Sequence, residues 1–106
     1  DLYPGERVYS SQAASFNELV DWLDGSRKIV ALTENGCIFD PDLAFRDNAI
    51  WSYFGTWSGE FIILNNTLTL SEKYTETDML IKIYTSDKVL TLDELPNLKN
   101  YGNSVN

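Results

Sequence analysis

The chain contains no histidine among its 106 residues. Histidine is the commonest general base near neutral pH and the commonest metal ligand, so both chemistries lose their usual residue. Cysteine is nearly absent too. Cys37 stands alone, which excludes an internal disulfide and any cysteine-based zinc or iron–sulfur cluster. One thiol fits the cytoplasm and equally an exported protein without disulfides. Basic residues are scarce, 8 Lys and Arg against 16 Asp and Glu, for a net charge of -8. A surface of this sign repels phosphate backbones and anionic lipid, and suits a basic protein partner. No apolar run approaches the roughly 20 residues of a membrane span, so no membrane insertion is expected. The glycines at 5, 25, 36, 55, 59 and 102 form neither G-x-G-x-x-G nor a Walker pattern, so no nucleotide cofactor is expected. There is no G-x-S-x-G nucleophile elbow.

What is present is aromatic alternation. From Trp51 to Leu70 the odd positions carry Trp51, Tyr53, Gly55, Trp57, Gly59, Phe61 and Ile63, and the even ones include Ser52, Thr56, Ser58 and Glu60. Period-two patterning of this kind predicts strands with one dry and one wet face. Short strands follow one another between turn signals. Lys28 to Thr33 is read as a strand, Asn35-Gly36 as a two-residue hairpin turn, and Cys37 to Phe39 as the return strand. Asp40-Pro41-Asp42 reads as a turn, Leu43 to Phe45 as a strand, and Arg46-Asp47-Asn48 as a turn. Ala49 to Phe54 then leads through Gly55 into Trp57 to Leu64, Asn65-Asn66 turns the chain, and Thr67 to Leu70 alternates. Met79 to Tyr84 and Val89 to Leu92 read as a last hairpin. The sum predicts an antiparallel meander.

One helix precedes the strands. Ser15-Phe16-Asn17-Glu18 has the form of a capping box, and Phe16, Leu19, Val20 and Leu23 form one helical stripe that ends before Gly25. The spacing predicts an amphipathic helix over 16–24. The organisation expected is a flexible N-terminal arm over 1–14, one β-rich domain over 15–95, and a polar tail over 96–106, in which Asn97, Asn100, Asn103 and Asn106 recur without evident use.

Leu43-Ala44-Phe45, the turn at Asp47-Asn48, Tyr53-Phe54-Gly55-Thr56-Trp57, Asn66-Thr67-Leu68-Thr69-Leu70 and Val89-Leu90-Thr91-Leu92 come in that order. The order resembles the small bacterial lipocalin-like domains of secreted or lipid-anchored proteins, over Leu43 to Leu95. The Gly-x-Trp element lies mid-chain here, and the chain is short for an eight-stranded calyx. The resemblance therefore implies a small or partly open barrel, mainly β, with one short helix.

Trp51, Tyr53, Trp57 and Phe61 are the candidate ligand-lining residues, with Gly55 and Gly59 leaving room between them. The competing reading makes the same aromatics a filled core. Asp40, Asp42, Glu72, Glu76, Asp78, Asp93 and Glu94 read as solvated turns, lacking the spacing of a paired-carboxylate hydrolase or an EF-hand. Cys37 has no base beside it and reads as a small buried apolar residue. Asn65-Asn66-Thr67 matches a glycosylation sequon. No catalytic residue, metal ligand or cofactor is assigned. The expectation is a non-catalytic lipocalin-like domain, not an enzyme, binding a small apolar ligand or a protein partner at the bacterial cell envelope. The alternative is an acidic immunity or inhibitor protein masking a basic site on a toxin or enzyme. The chain begins at Asp1, as a secreted or periplasmic mature form with its leader removed would, or a trimmed chain.

Overall fold

The computed structural model describes residues 1–65, 67–97 and 99. The elements run α1 (Ala13–Trp22), β1 (Leu32–Asn35), α2 (Pro41–Arg46), β2 (Phe54–Thr56) and α3 (Thr77–Thr85), with single 3-10 turns at Gly59–Phe61 and Leu92–Glu94. The two strands pair in parallel, Leu32 opposite Phe54 and Asn35 opposite Thr56, with an irregularity between. Leu2 forms a further parallel bridge on the other side of Asn35. Three chain segments thus lie side by side in one direction, and a helix intervenes at each crossover. This overturns the antiparallel barrel. Parallel neighbours need a long crossover, which a two-residue hairpin cannot supply.

The local reasons are specific. Asp40 is the N-cap of α2, its carboxylate accepting from the Asp42 N–H at 2.9 Å, and Pro41 occupies the first turn. Proline there costs nothing, because that position has no intrahelical acceptor for an N–H. The expected turn at Asp40-Pro41-Asp42 and strand at Leu43 to Phe45 are therefore one helix. Met79 to Tyr84 is likewise helical, within α3. Ile83 is buried, Met79 and Leu80 are half-buried, and Ile81, Lys82 and Tyr84 are exposed, a three-to-four-residue repeat rather than alternation. Asp78 in the first turn and Lys82 in the last suit the helix dipole. Of the extended segments expected over Ala49 to Phe54 and Trp57 to Leu64, Phe54–Thr56 and an antiparallel bridge from Ile63 to Leu70 are present, and between them Gly59 takes φ 75 and opens a 3-10 turn.

Helix α1 begins before the expected Phe16 and ends at Trp22. Its N-cap is Gln12, at φ 57, with no side-chain cap, so Ser15 and Glu18 form no capping box. Residues 1–14, expected as a flexible arm, carry definite backbone bonds. Leu2 N–H donates to the Glu34 carbonyl at 3.0 Å, Gly36 N–H to the Leu2 carbonyl at 3.1 Å, and Asp40 N–H to the Tyr9 carbonyl at 2.9 Å. The polar tail lies outside the described residues at 98 and 100–106, as does Asn66 of the Asn65-Asn66 turn.

Leu32, Phe39, Ala44 and Trp51 form the core, with Leu2, Phe16, Val30 and Phe54 packed on it. Helix α3 is tied to α2 by charge: Lys82 Nζ lies 2.7 Å from Asp40 Oδ2 and 3.0 Å from Asp42 Oδ2, and Lys88 Nζ 3.1 Å from Asp42 Oδ1. Large apolar side chains nevertheless stay in solvent, Trp22, Ile29, Leu90 and Leu92 among them. The radius of gyration is 15.8 Å, against about 13 Å for a compact domain of this length. No helix among the described residues is long and apolar enough to cross a membrane.

Candidate functional site at the strand ends

In parallel α/β architectures the working side chains sit where strands end, on the loops that follow them. Here three such ends are adjacent. Leu2 leads into Tyr3, β1 ends in Glu34 and Asn35, and β2 ends at Thr56 before Trp57. The Trp57 N–H donates to the Asn35 carbonyl at 2.8 Å, so the backbone that carries the indole is held against β1. The indole itself is exposed. Thr56 Oγ1 donates to Asn35 Oδ1 at 2.8 Å, and this pairing locks the buried Asn35 across the two strands.

Glu34 is the chemically distinctive group. The Tyr3 hydroxyl donates to Glu34 Oε1 across 31 residues of sequence. That hydrogen bond, chiefly, pushes the Tyr3 phenol up to about 12 from an ordinary 10.0. At neutral pH Tyr3 is therefore a fixed donor. Glu34 Oε1 is held as an acceptor, and Oε2 has no hydrogen-bond partner among the described residues. The sequence reading placed Glu34 beside a hairpin turn and gave it no role. The signal it missed is a carboxylate at the end of a strand that pairs in parallel.

Gly36 makes no hairpin. A Cβ there would lie 2.4 Å from Tyr3 Cδ1 and 2.9 Å from Phe61 Cε1. Its missing side chain is the space in which those two rings meet, with centroids 5.4 Å apart and planes at 60°. Phe61 in turn packs on Tyr74, at 4.4 Å between centroids.

The four aromatics expected to share one pocket are dispersed. Trp51 is core: it is 7% exposed, sets its ring edge-on to Phe16 at 5.2 Å, and donates its indole N–H to the Ser11 carbonyl at 2.9 Å. Trp51 and Tyr53 border an open, mainly apolar groove of about 630 Å³ between α2, β2 and the segment after α3. Phe61 borders a separate cleft of about 220 Å³ with Tyr3, Gly36 and Tyr74. Trp57 borders neither. Cys37 is buried, with its Sγ 3.1 Å from the Tyr74 carbonyl, and burial pushes its thiol up, away from a reactive thiolate. Among the described residues no group of three His, Cys, Asp or Glu side chains could hold a metal ion.

No protein-family model matches the chain. It is 34% identical over 103 residues to mannan endo-1,4-beta-mannosidase B of a Piromyces species, a match over 95% of this chain. The chain spans only 16% of that protein's length. Among solved structures it is similar to a ruminal GH26 endo-beta-1,4-mannanase, with a TM-score of 0.76 and 30% identity over 91% of this chain and 20% of that one. It is also similar to a beta-mannanase from a symbiotic protist of the termite Reticulitermes speratus, complexed with gluco-manno-oligosaccharide, with a TM-score of 0.73 and 31% identity over 91% of this chain and 26% of that one. These likenesses, with the parallel strand pair, overturn the lipocalin-like resemblance, the barrel and the non-catalytic reading, and lend nothing to the immunity or inhibitor alternative. What the chain resembles in each case is a short segment of a glycoside hydrolase.

Proposed function

We propose that this chain is one segment of an endo-acting hydrolase of β-1,4-linked mannan, and that it supplies one of the two catalytic carboxylates, Glu34. The observation that carries the reading is the Tyr3–Glu34 hydrogen bond at the ends of adjacent parallel strands, within a segment similar throughout to mannanases. The two-stranded sheet and the exposed apolar side chains support it, since a parallel sheet is stable only when flanked by more strands and covered on both faces.

Glycoside hydrolysis uses a carboxylic acid that protonates the leaving oxygen and a second carboxylate on the opposite side of the ring. Glu34 fits the second role. Its Oε1 accepts the Tyr3 hydroxyl, which fixes the carboxylate in place, and Oε2 has no hydrogen-bond partner among the described residues. Its free oxygen attacks the anomeric carbon and the glycosidic C–O bond breaks. The departing oxygen takes its proton from an acid elsewhere in the longer polypeptide. Water then hydrolyses the glycosyl ester and returns the carboxylate. Trp57 presents a flat apolar face beside the same strand end, suited to the C–H face of a pyranose. Secretion fits this reading, because a polymeric substrate is met outside the cell.

The test is Glu34→Gln and Glu34→Ala in the longer polypeptide, assayed by release of reducing ends from β-1,4-mannan. Loss of a catalytic carboxylate should lower kcat by at least about 10³-fold. Azide should restore turnover to Glu34→Ala and yield a glycosyl azide of inverted configuration. Near-normal turnover by Glu34→Gln removes Glu34 from the mechanism.

A further inference from the structure

We infer that Phe61 and Gly36 are positioning residues that act on the reaction through Tyr3. The inference rests on the assignment of Glu34 above. Tyr3 is 48% exposed, so one side of its ring meets solvent and the other must be held. Its backbone neighbour Leu2 is fixed on both sides of Asn35, through the Glu34 carbonyl and the Gly36 N–H. The ring lies against the bare backbone of Gly36 and against Phe61, with ring centroids 5.4 Å apart. Phe61 does not drift, because Tyr74 backs it at 4.4 Å. Tyr74 is itself anchored where its carbonyl accepts the Arg7 N–H at 2.8 Å. An unbroken packed series therefore runs from Tyr74 through Phe61 and Tyr3 to the Glu34 carboxylate.

Remove Phe61 and the Tyr3 ring gains rotational freedom about its Cα–Cβ bond, and its hydroxyl leaves Glu34 for part of the time. Displacements of about 1 Å at a reacting group cost up to about 100-fold in rate. Add a methyl at Gly36 and the same ring is pushed aside, since the new Cβ would lie 2.4 Å from Tyr3 Cδ1.

The experiment is a kinetic double-mutant cycle on β-1,4-mannan in the longer polypeptide, with Tyr3→Phe, Phe61→Ala and the double variant, and with thermal midpoints recorded alongside. Phe61→Ala should lower kcat by about tenfold or more, with little change in KM, when Tyr3 is present. It should lower kcat no further when Tyr3 is already Phe. Phe61→Leu, which keeps most of the volume, runs through the same cycle should Phe61→Ala fail to fold, and Gly36→Ala should show the same dependence on Tyr3. Equal losses in both backgrounds overturn the inference, as does a Tyr3→Phe variant with unchanged kcat. Glu34→Gln separates the two levels. If it is inactive and the cycle is additive, the positioning role alone fails; if it remains active, the catalytic assignment fails and takes this inference with it.

Discussion

Replacing Trp51 by Phe is the sharpest test of how the molecule is built. The indole N–H donates to the Ser11 carbonyl at 2.9 Å, and Ser11 is itself buried. Phenylalanine offers no donor, and a buried acceptor stripped of its partner costs about 1–3 kcal/mol. The smaller ring also leaves a void against Leu32, Phe39 and Ala44, which adds about 1 kcal/mol. The total expected is about 2–4 kcal/mol, and Trp51→Ala should cost about 3–5 kcal/mol. Against the 5–15 kcal/mol typical of a domain, either loss is large. Urea unfolding of the longer polypeptide, followed by circular dichroism, should show a lower midpoint at an unchanged slope. Tryptophan emission supplies an internal control. Within this segment Trp22 and Trp57 are exposed and Trp51 is buried, so in the longer polypeptide the emission lost on Trp51→Phe should be blue-shifted. A destabilisation below about 0.5 kcal/mol, the range of ordinary surface changes, with the blue component intact, would refute this account of the core.

Trp57→Ala should behave in the opposite way. Its ring is exposed, so the melting temperature should move little while mannan-oligosaccharide binding and turnover fall; a large drop in stability with normal binding would show that Trp57 is structural. The Tyr3 phenol, raised to about 12 by its bond to Glu34, contributes stability that is complete below 10.0 and fades as pH climbs towards the raised value. Alkaline titration by phenolate absorbance should lose its latest phase in Tyr3→Phe and show it shifted back towards 10.0 in Glu34→Gln; a late phase identical in all three proteins counts against the contact. Asp42 is held below its ordinary 3.8 by Lys82 first and Lys88 second. A depressed carboxylate contributes stability above 3.8 that is lost as pH falls through its lower folded value, so Asp42→Asn should flatten the acid limb of a thermal-stability profile. An unchanged limb would mean that the link between α2 and α3 is carried elsewhere.

Some of this was legible in the residues. The stripe of Phe16, Leu19 and Val20 lies in α1, and the dry character of Trp51 and Cys37 is evident from their chemistry. The failures have physical causes. Asp-Pro-Asp is turn chemistry and N-cap chemistry at once, because both need an extended residue followed by a fixed φ. Only the tertiary link from Lys82 to Asp40 and Asp42 marks it as a helix start with a docked neighbour. Met79 to Tyr84 holds Ile81, Ile83 and Lys82 in positions that alternate over a short window, and a window that short cannot separate a period of 2 from one of 3.6. Asn35-Gly36 has hairpin composition, yet neither residue takes the positive φ of a hairpin turn. The glycine answers a steric demand from Tyr3 and Phe61, which are 33 and 25 positions away.

The helix at Pro41–Arg46 decides between the two topologies, and the site follows from it. If 41–46 is extended, β1 and the next strand are hairpin neighbours, Glu34 sits at a solvated turn, and its partner would be sought within a few residues. With 41–46 helical, the chain crosses over and returns in the same direction, as it does through α1 between Leu2 and β1. Equivalent ends of successive strands then fall side by side. Tyr3, Glu34 and Trp57 occupy such ends, although the phenol and the carboxylate are 31 residues apart in sequence. No local motif can encode that meeting, because the spacing is set by strand and crossover lengths rather than by chemistry. A carboxylate in a parallel α/β chain is therefore to be weighed by its position on its strand before its neighbours in sequence. By that measure Glu34, one of 16 acidic residues, stands at a strand end against Tyr3, and the proposed role rests on that position.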